Sequence, residues 1–148
     1  MKAVIQKVSI AETIVEGKLV SSIKRGLVIF LGIATNDSDS DIDWLINKIT
    51  KLRIFNTFDD NINDVKGEVL LVSQFTLQAN VLKGNRPSFI KAAKSDLAKT
   101  IYDKFLYRLN ENLDTELKSG IFGADMLINL SNDGPVTIIY DSSLKLKK

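Results

Sequence analysis

The sequence predicts an α+β domain: a mostly antiparallel sheet, curled or barrel-like, covered by two main helices. Three observations lead there. Apolar, β-branched runs of strand length recur along the chain, among them Leu27-Val28-Ile29-Phe30-Leu31-Gly32-Ile33 and Val69-Leu70-Leu71-Val72. Two other segments space their apolar residues along one helical face: Ile42, Leu45, Ile46, Ile49 and Leu52, then Leu97, Ile101, Phe105 and Leu109. Finally, 148 residues without an internal repeat or low-complexity linker make one domain, 1–148, with room for a real core.

Each element has its own justification. Residues 2–10 alternate well enough for a first strand, and 13–16 and 18–21 flank Gly17 as a hairpin. The apolar run 27–33 reads as a central strand. Ser38-Asp39-Ser40-Asp41 supplies N-cap residues and early negative charge for the first helix, with Trp44 on the margin of its stripe. Residues 56–67 are polar and loop-like; Asp59-Asp60-Asn61 lacks the full spacing, central Gly and terminal Glu of a calcium loop. Residues 68–78 read as a strand interrupted or ended around Ser73-Gln74. Gly84-Asn85-Arg86-Pro87 is a turn, and Ser95 is the expected N-cap of the second helix. Further strands are expected near 113–118 and 122–130, with a last one at 136–140 and a short basic tail from about residue 142.

Composition removes several classes of chemistry. Hydrophobic residues at 45% and charged residues at 26% are ordinary for a soluble globular protein. The N-terminus alternates polar and apolar residues, unlike a signal peptide, and the longest apolar run, 27–34, is too short for a bilayer. Without Cys there is no disulfide framework and no thiolate chemistry, and a cytoplasmic location fits best. Without His there is no Ser-His-Asp triad, no Cys-His pair and no His-ligated metal. Acid–base work falls to Asp, Glu, Lys, Tyr, backbone groups or the substrate itself. No motif calls for a metal or cofactor. A net charge of +2 does not announce a nucleic-acid binder, although Lys83, Arg86, Lys91, Lys94, Lys99 and Lys104 face only Asp96 and Asp103 over that stretch. A solvated surface is the plain explanation of those charges.

Two polar interruptions carry the most information: Ser73-Gln74-Phe75-Thr76 after an apolar run, and Asn132-Asp133-Gly134-Pro135-Val136-Thr137 between two others. Hydroxyls and an amide at a strand end suit orienting an ester and binding an oxyanion, although a polar strand terminus explains them equally. Thr76 has the hydroxyl of a nucleophile but no His to activate it. Pro135 within an apolar run belongs at an edge, a bulge or a turn. Arg86 can hold a phosphate or pair with a carboxylate.

Five blocks together resemble the D-aminoacyl-tRNA deacylase family: Met1-Lys2-Ala3-Val4-Ile5-Gln6, Val72-Ser73-Gln74-Phe75-Thr76-Leu77, Lys83-Gly84-Asn85-Arg86-Pro87-Ser88-Phe89, Phe122-Gly123-Ala124-Asp125-Met126 and Asn132-Asp133-Gly134-Pro135-Val136-Thr137. They occur in order from Met1 to about Asp141. The resemblance implies a cytoplasmic homodimer that hydrolyses the ester between a D-amino acid and the 3′ end of tRNA, with glycyl-tRNA a further candidate substrate. It implies that Ser73, Gln74, Phe75 and Thr76 bind the aminoacyl ester and terminal adenosine. Gly134 and Pro135, joined by a cis peptide, would come from the other subunit and exclude L side chains. Ala124 and Met126 would line the adenosine side, and Arg86 would contact tRNA. Either Thr76 attacks the ester directly, or the terminal 2′-hydroxyl assists while the protein positions; the absence of His and Cys favours positioning.

The chain departs from the family pattern in three places. Lys7 stands where Arg commonly steadies the Gly-Pro loop, keeping the charge but losing the planar fork. The segment 59–67 is shortened, and Ile121 replaces a common basic residue. Two other readings stay open at this level. One is an editing deacylase for L-amino acids with Gly134-Pro135 in trans; the other is a non-catalytic RNA-binding module.

Overall fold

The computed structural model describes residues 1–82 and 84–145, and one long strand organises it. β1 (Lys2–Val15) pairs antiparallel with three others: β2 (Lys18–Ile23), β3 (Gly26–Gly32) and β6 (Leu127–Asp141). The remaining pairs are parallel. β3 lies beside β4 (Glu68–Ser73), and β4 beside β5 (Leu117–Ser119). Parallel neighbours need a long crossover, and the two helices supply it: α1 (Asp39–Thr50) between β3 and β4, and α2 (Ser95–Glu111) between β4 and β5. The sheet curls until its far edges meet. Ser21 Oγ on β2 donates to the Ser119 carbonyl of β5 at 2.6 Å, and Lys118 Nζ donates to the Ser22 carbonyl at 2.8 Å.

Strand periodicity builds two cores at once. On β3 and β4, Leu27, Ile29, Leu31, Val69 and Leu71 point to the helices, where they meet Leu45, Ile49, Phe105 and Leu109. Their neighbours Val28, Leu70 and Val72 point inside the curl, against Val8, Ala11 and Ile23. This is why the apolar runs are unbroken: both faces are covered.

Several boundaries differ from the sequence reading. The strands expected at 122–130 and 136–140 are one element, β6, which starts only at Leu127. It stays continuous because β1 runs opposite it from Lys2 to Ile14, with local register shifts. β5 is shorter and later than 113–118. The N-cap of α2 is Lys94, with no side-chain cap, and Ser95 is the first helical residue. The buried face of α2 is Tyr102, Phe105 and Leu109, while Leu97 is 45% exposed because the helix start projects beyond the sheet core. The first helix buries Ile42, Leu45, Ile46 and Ile49 as expected, with Trp44 edge-on to Tyr140 at 6.0 Å, but it ends at Thr50, so Leu52 packs half-buried from beyond the helix instead of extending its stripe. The basic tail is tied down as far as Lys145, whose Nζ binds Asp41 at 2.8 Å; Lys83 and 146–148 lie outside the described residues. Among the described residues no helix is long and apolar enough to cross a membrane.

Candidate active site

The end of β4 is clamped onto the end of β3. Gln74 N–H donates to the Leu31 carbonyl at 2.8 Å, and the chain then turns into a short 3₁₀ helix, Phe75–Gln78. Gln78 Nε2 donates to the Gly32 carbonyl at 2.8 Å, a second anchor. Only glycine fits at position 32: a Cβ there would lie 2.7 Å from Leu77 Cβ and 2.9 Å from the Gln74 carbonyl oxygen. The clamp leaves Ser73, Gln74, Phe75 and Thr76 along a cleft of about 510 Å³. The turn before β6 supplies Phe122, Gly123, Ala124, Asp125 and Met126, and Ala93, Ser95 and Ala98 line it from the start of α2.

The polar groups in this cleft are donors and acceptors rather than a base beside a nucleophile. Gln74 Nε2 donates to Thr76 Oγ1. Among the described residues, the N–H groups of Phe75 and Thr76 have no backbone acceptor, as befits the first turn of a helix. Asp125 is the one carboxylate among the lining residues, which include no Lys, Arg or Tyr. Phe75 is 58% exposed and is held edge-on by Phe89, with ring centroids 5.0 Å apart. The opposite wall is fixed from behind. Tyr102 packs its ring 5.3 Å from Phe122 and donates its hydroxyl to the Leu71 carbonyl at 3.1 Å. Burial, with Asp103 nearby, pushes that phenol well above its ordinary range, so it stays a donor.

A second cluster forms where β6 leaves its ladder with β1. Gln6 pairs with Thr137 and Val8 with Asn132, so residues 133–136 bulge out opposite Lys7. Asn132 closes the neck of the bulge. Its side chain donates to the Val136 carbonyl at 3.1 Å and accepts from the Val136 N–H at 3.0 Å. Lys7 Nζ lies 3.5 Å from Asp133 Oδ2. The Gly134–Pro135 peptide is cis, and Gly134 has φ +142°.

The residues singled out from the sequence therefore fall into three places. Ser73, Gln74, Phe75, Thr76, Ala124 and Met126 come together in the cleft. Lys7, Gly134 and Pro135 gather at the bulge and do not line that cleft. Arg86 sits apart, on an exposed turn closed by backbone bonds between Asn80 and Ser88. Missed in the sequence were Asp125, Ser95, Ala98 and the buried Tyr102. Asp125 had a signal, since it lies between Ala124 and Met126, whereas Ser95, Ala98 and Tyr102 reach the site only through the packing of α2.

Comparison with known proteins bears on the chain as a whole. A family model described as D-Tyr-tRNA(Tyr) deacylase matches residues 4–141. A D-aminoacyl-tRNA deacylase of Flavobacterium johnsoniae is 49% identical over 146 residues, covering 96% of this chain and 97% of that protein. One from Fusobacterium nucleatum is 51% identical over 146 residues, covering 96% of each. A solved structure described as c-Myc DNA Unwinding Element Binding Protein superposes with a TM-score of 0.91 at 40% identity, covering 95% of this chain and 98% of that one.

Proposed function

The chain belongs to the D-Tyr-tRNA(Tyr) deacylase family, and from that premise we propose how its cleft hydrolyses the ester between a D-amino acid and the 3′-terminal adenosine of tRNA. The activity is that of a D-aminoacyl-tRNA deacylase, a hydrolase acting on an ester bond. The observation that carries the mechanistic reading is the make-up of the cleft: Ser73, Gln74 and Thr76 beside Phe75, with no carboxylate or amine hydrogen-bonded to either hydroxyl among the described residues. Phe75 offers an exposed aromatic face on which the adenine can stack, with Ala124 and Met126 on the adenosine side. Ser73, Gln74 and Thr76 orient the ester. The free N–H groups of Phe75 and Thr76 are the donors for the oxyanion that develops as the carbonyl carbon becomes tetrahedral. The terminal 2′-hydroxyl assists the attack, and the protein contributes positioning and pre-aimed dipoles. No metal or cofactor enters the scheme.

Chiral selection belongs to the bulge of a second copy. In a homodimer, Gly134 and Pro135 of one subunit stand over Ser73, Gln74, Phe75 and Thr76 of the other. The pair rejects L side chains by occupying the space they need. Two features support this reading: the bulge is exposed in the single chain, and its own cleft lacks it. Glycyl-tRNA, whose amino acid has no side chain to exclude, falls within the same substrate range. The place of work is the cytoplasm, where charged tRNA is used.

The test is hydrolysis of matched D- and L-tyrosyl-tRNA by purified protein in the presence of EDTA. Fast loss of the D form with the L form intact is the expected result. Loss of both, or of the L form alone, overturns the selectivity reading in favour of an editing enzyme. Loss of neither leaves a binding module.

A further inference from the structure

Between Glu68 and Asp96 the sequence contains no carboxylate, yet it carries Lys83, Arg86, Lys91 and Lys94. This stretch begins in β4, includes the catalytic turn and ends at the start of α2. The cations farther along α2 are different. Lys99 pairs with Asp103, Lys104 with Asp39, and Arg108 with Asp39 and Asp43, at 2.5 to 2.8 Å. Among the described residues, Arg86, Lys91 and Lys94 have no acidic partner within ion-pair distance, and all three are exposed. One set of positive charges is thus neutralised within the fold, and the other is left for a partner.

Of this set Lys94 stands at the cleft itself, Lys91 lies three residues before it on a neighbouring hollow, and Arg86 is on the turn farther off. Lys94 is flanked by Ala93 and Ser95, which both line the cleft. The backbone around Lys91 is fixed, because the Thr35 N–H donates to the Lys91 carbonyl at 3.1 Å and the Ala93 N–H to Ile33 at 3.0 Å. Phe89, in the same segment, props Phe75. A segment that brings unpaired cations and no carboxylate of its own to a site for a nucleotide end has the charge complementarity of a polyanion track, even with Asp125 in the cleft and Asp37, Asp41 and Asp141 around the hollow that Lys91 lines.

We propose that Lys91 and Lys94 form the docking surface for the tRNA acceptor end, holding backbone phosphates just 5′ of the terminal adenosine. This rests on the deacylase reading of the cleft and assigns its substrate grip. The grip is separate from the chemistry, since these side chains do not touch the ester.

The experiment is equilibrium binding of deacylated tRNA to the full chain across a range of NaCl concentrations. It compares wild type, the double variant Lys91→Gln/Lys94→Gln, and Lys18→Gln on the distant β2 as a charge control. At roughly 0.7 per single-strand phosphate released, the double variant should flatten the log Kd against log salt slope by about 1.4. Lys18→Gln should leave the slope unchanged. Hydrolysis of the D-tyrosyl ester of adenosine, which has no phosphates, should be equal in wild type and double variant. A slope unchanged in the double variant overturns the docking surface. So does an equal loss in Lys18→Gln, which would make the effect one of net charge. Failure of the deacylase reading shows separately, as wild type that binds tRNA but hydrolyses neither D-tyrosyl-tRNA nor the adenosine ester.

Discussion

Gln74 Nε2 donates a hydrogen bond to Thr76 Oγ1 across 2.5 Å. The bond occupies one of the two lone pairs of the hydroxyl, and it comes from an amide group that cannot take the hydroxyl proton. On the proposed mechanism Thr76 is an orienting group, and the bond to Gln74 fixes its hydroxyl for that task. Thr76→Ala should lower single-turnover hydrolysis of D-tyrosyl-tRNA by about 100-fold and leave a measurable rate, the usual size for one lost polar contact to a developing charge. A substrate ending in 2′-deoxyadenosine should lose far more. Complete loss in Thr76→Ala, with the deoxy substrate still cleaved, would make Thr76 the nucleophile.

Lys7 Nζ and Asp133 Oδ2 approach to 3.5 Å across the neck of the bulge, with Asp133 53% exposed. A pair this open to water is worth about 0.2–1 kcal/mol, which limits what its loss can do. Lys7→Gln should reduce the D-over-L ratio of kcat/KM by no more than about fivefold if the pair only orders the bulge. Lys7→Arg should restore or exceed the wild-type ratio, because a guanidinium fork can hold the carboxylate in two places. The measurement is parallel kinetics on D- and L-tyrosyl-tRNA. A collapse of selectivity in Lys7→Gln would mean that Lys7 does more than order the bulge.

How much of this was legible in the sequence follows from where each interaction is encoded. The apolar runs announced β3 and β4, and the residues that break the second run are the ones that line the cleft. Local pattern could not show that β6 runs through Pro135, because what carries it across is the pairing partner β1 and the Asn132 clasp. The helical spacing of α2 was visible, but its buried face turned toward Tyr102 because the first turn overhangs the cleft instead of the sheet. The sequence left Arg86 open between a phosphate and a carboxylate, and could not show that the Asn80–Ser88 turn sets it apart from the cleft. Residues that act through tertiary packing, such as Tyr102 behind Phe122, leave no local trace.

Asn132 should be the structural key of the bulge. Its amide serves both the N–H and the carbonyl of Val136. Asn132→Asp can still accept from the N–H but can no longer donate to the carbonyl, while Asn132→Ala loses both bonds. At about 1 kcal/mol for each bond, unfolding free energy should rank wild type above Asp above Ala, with the last about 2 kcal/mol down. Selectivity for D substrates should follow the same order while hydrolysis of D-tyrosyl-tRNA falls less. Chemical denaturation with paired D and L kinetics checks this. Equal stability of all three proteins would show that the clasp is incidental.

Asp41 makes the start of α1 sensitive to acid. Its carboxylate accepts from the Ser38 N–H at 2.9 Å, the Ser38 hydroxyl at 2.7 Å and Lys145 Nζ at 2.8 Å. Burial alone would raise its pKa, but hydrogen bonds from Lys145, Ser38 and Ser142 outweigh that and hold the carboxyl well below the usual range. A folded-state pKa below the unfolded one adds stability that is fully present above the unfolded value. It is lost as the pH falls toward the folded value. Asp41→Asn should thus cost about 1 kcal/mol between roughly pH 5 and 8, the scale of a helix-capping interaction. The gap to wild type should close below about pH 4, where the wild-type carboxylate begins to take up protons on unfolding. Urea unfolding of both proteins at stepped pH measures it. A gap that persists undiminished at about pH 3 would mean that Asp41 stabilises the helix by packing, with its charge playing no part.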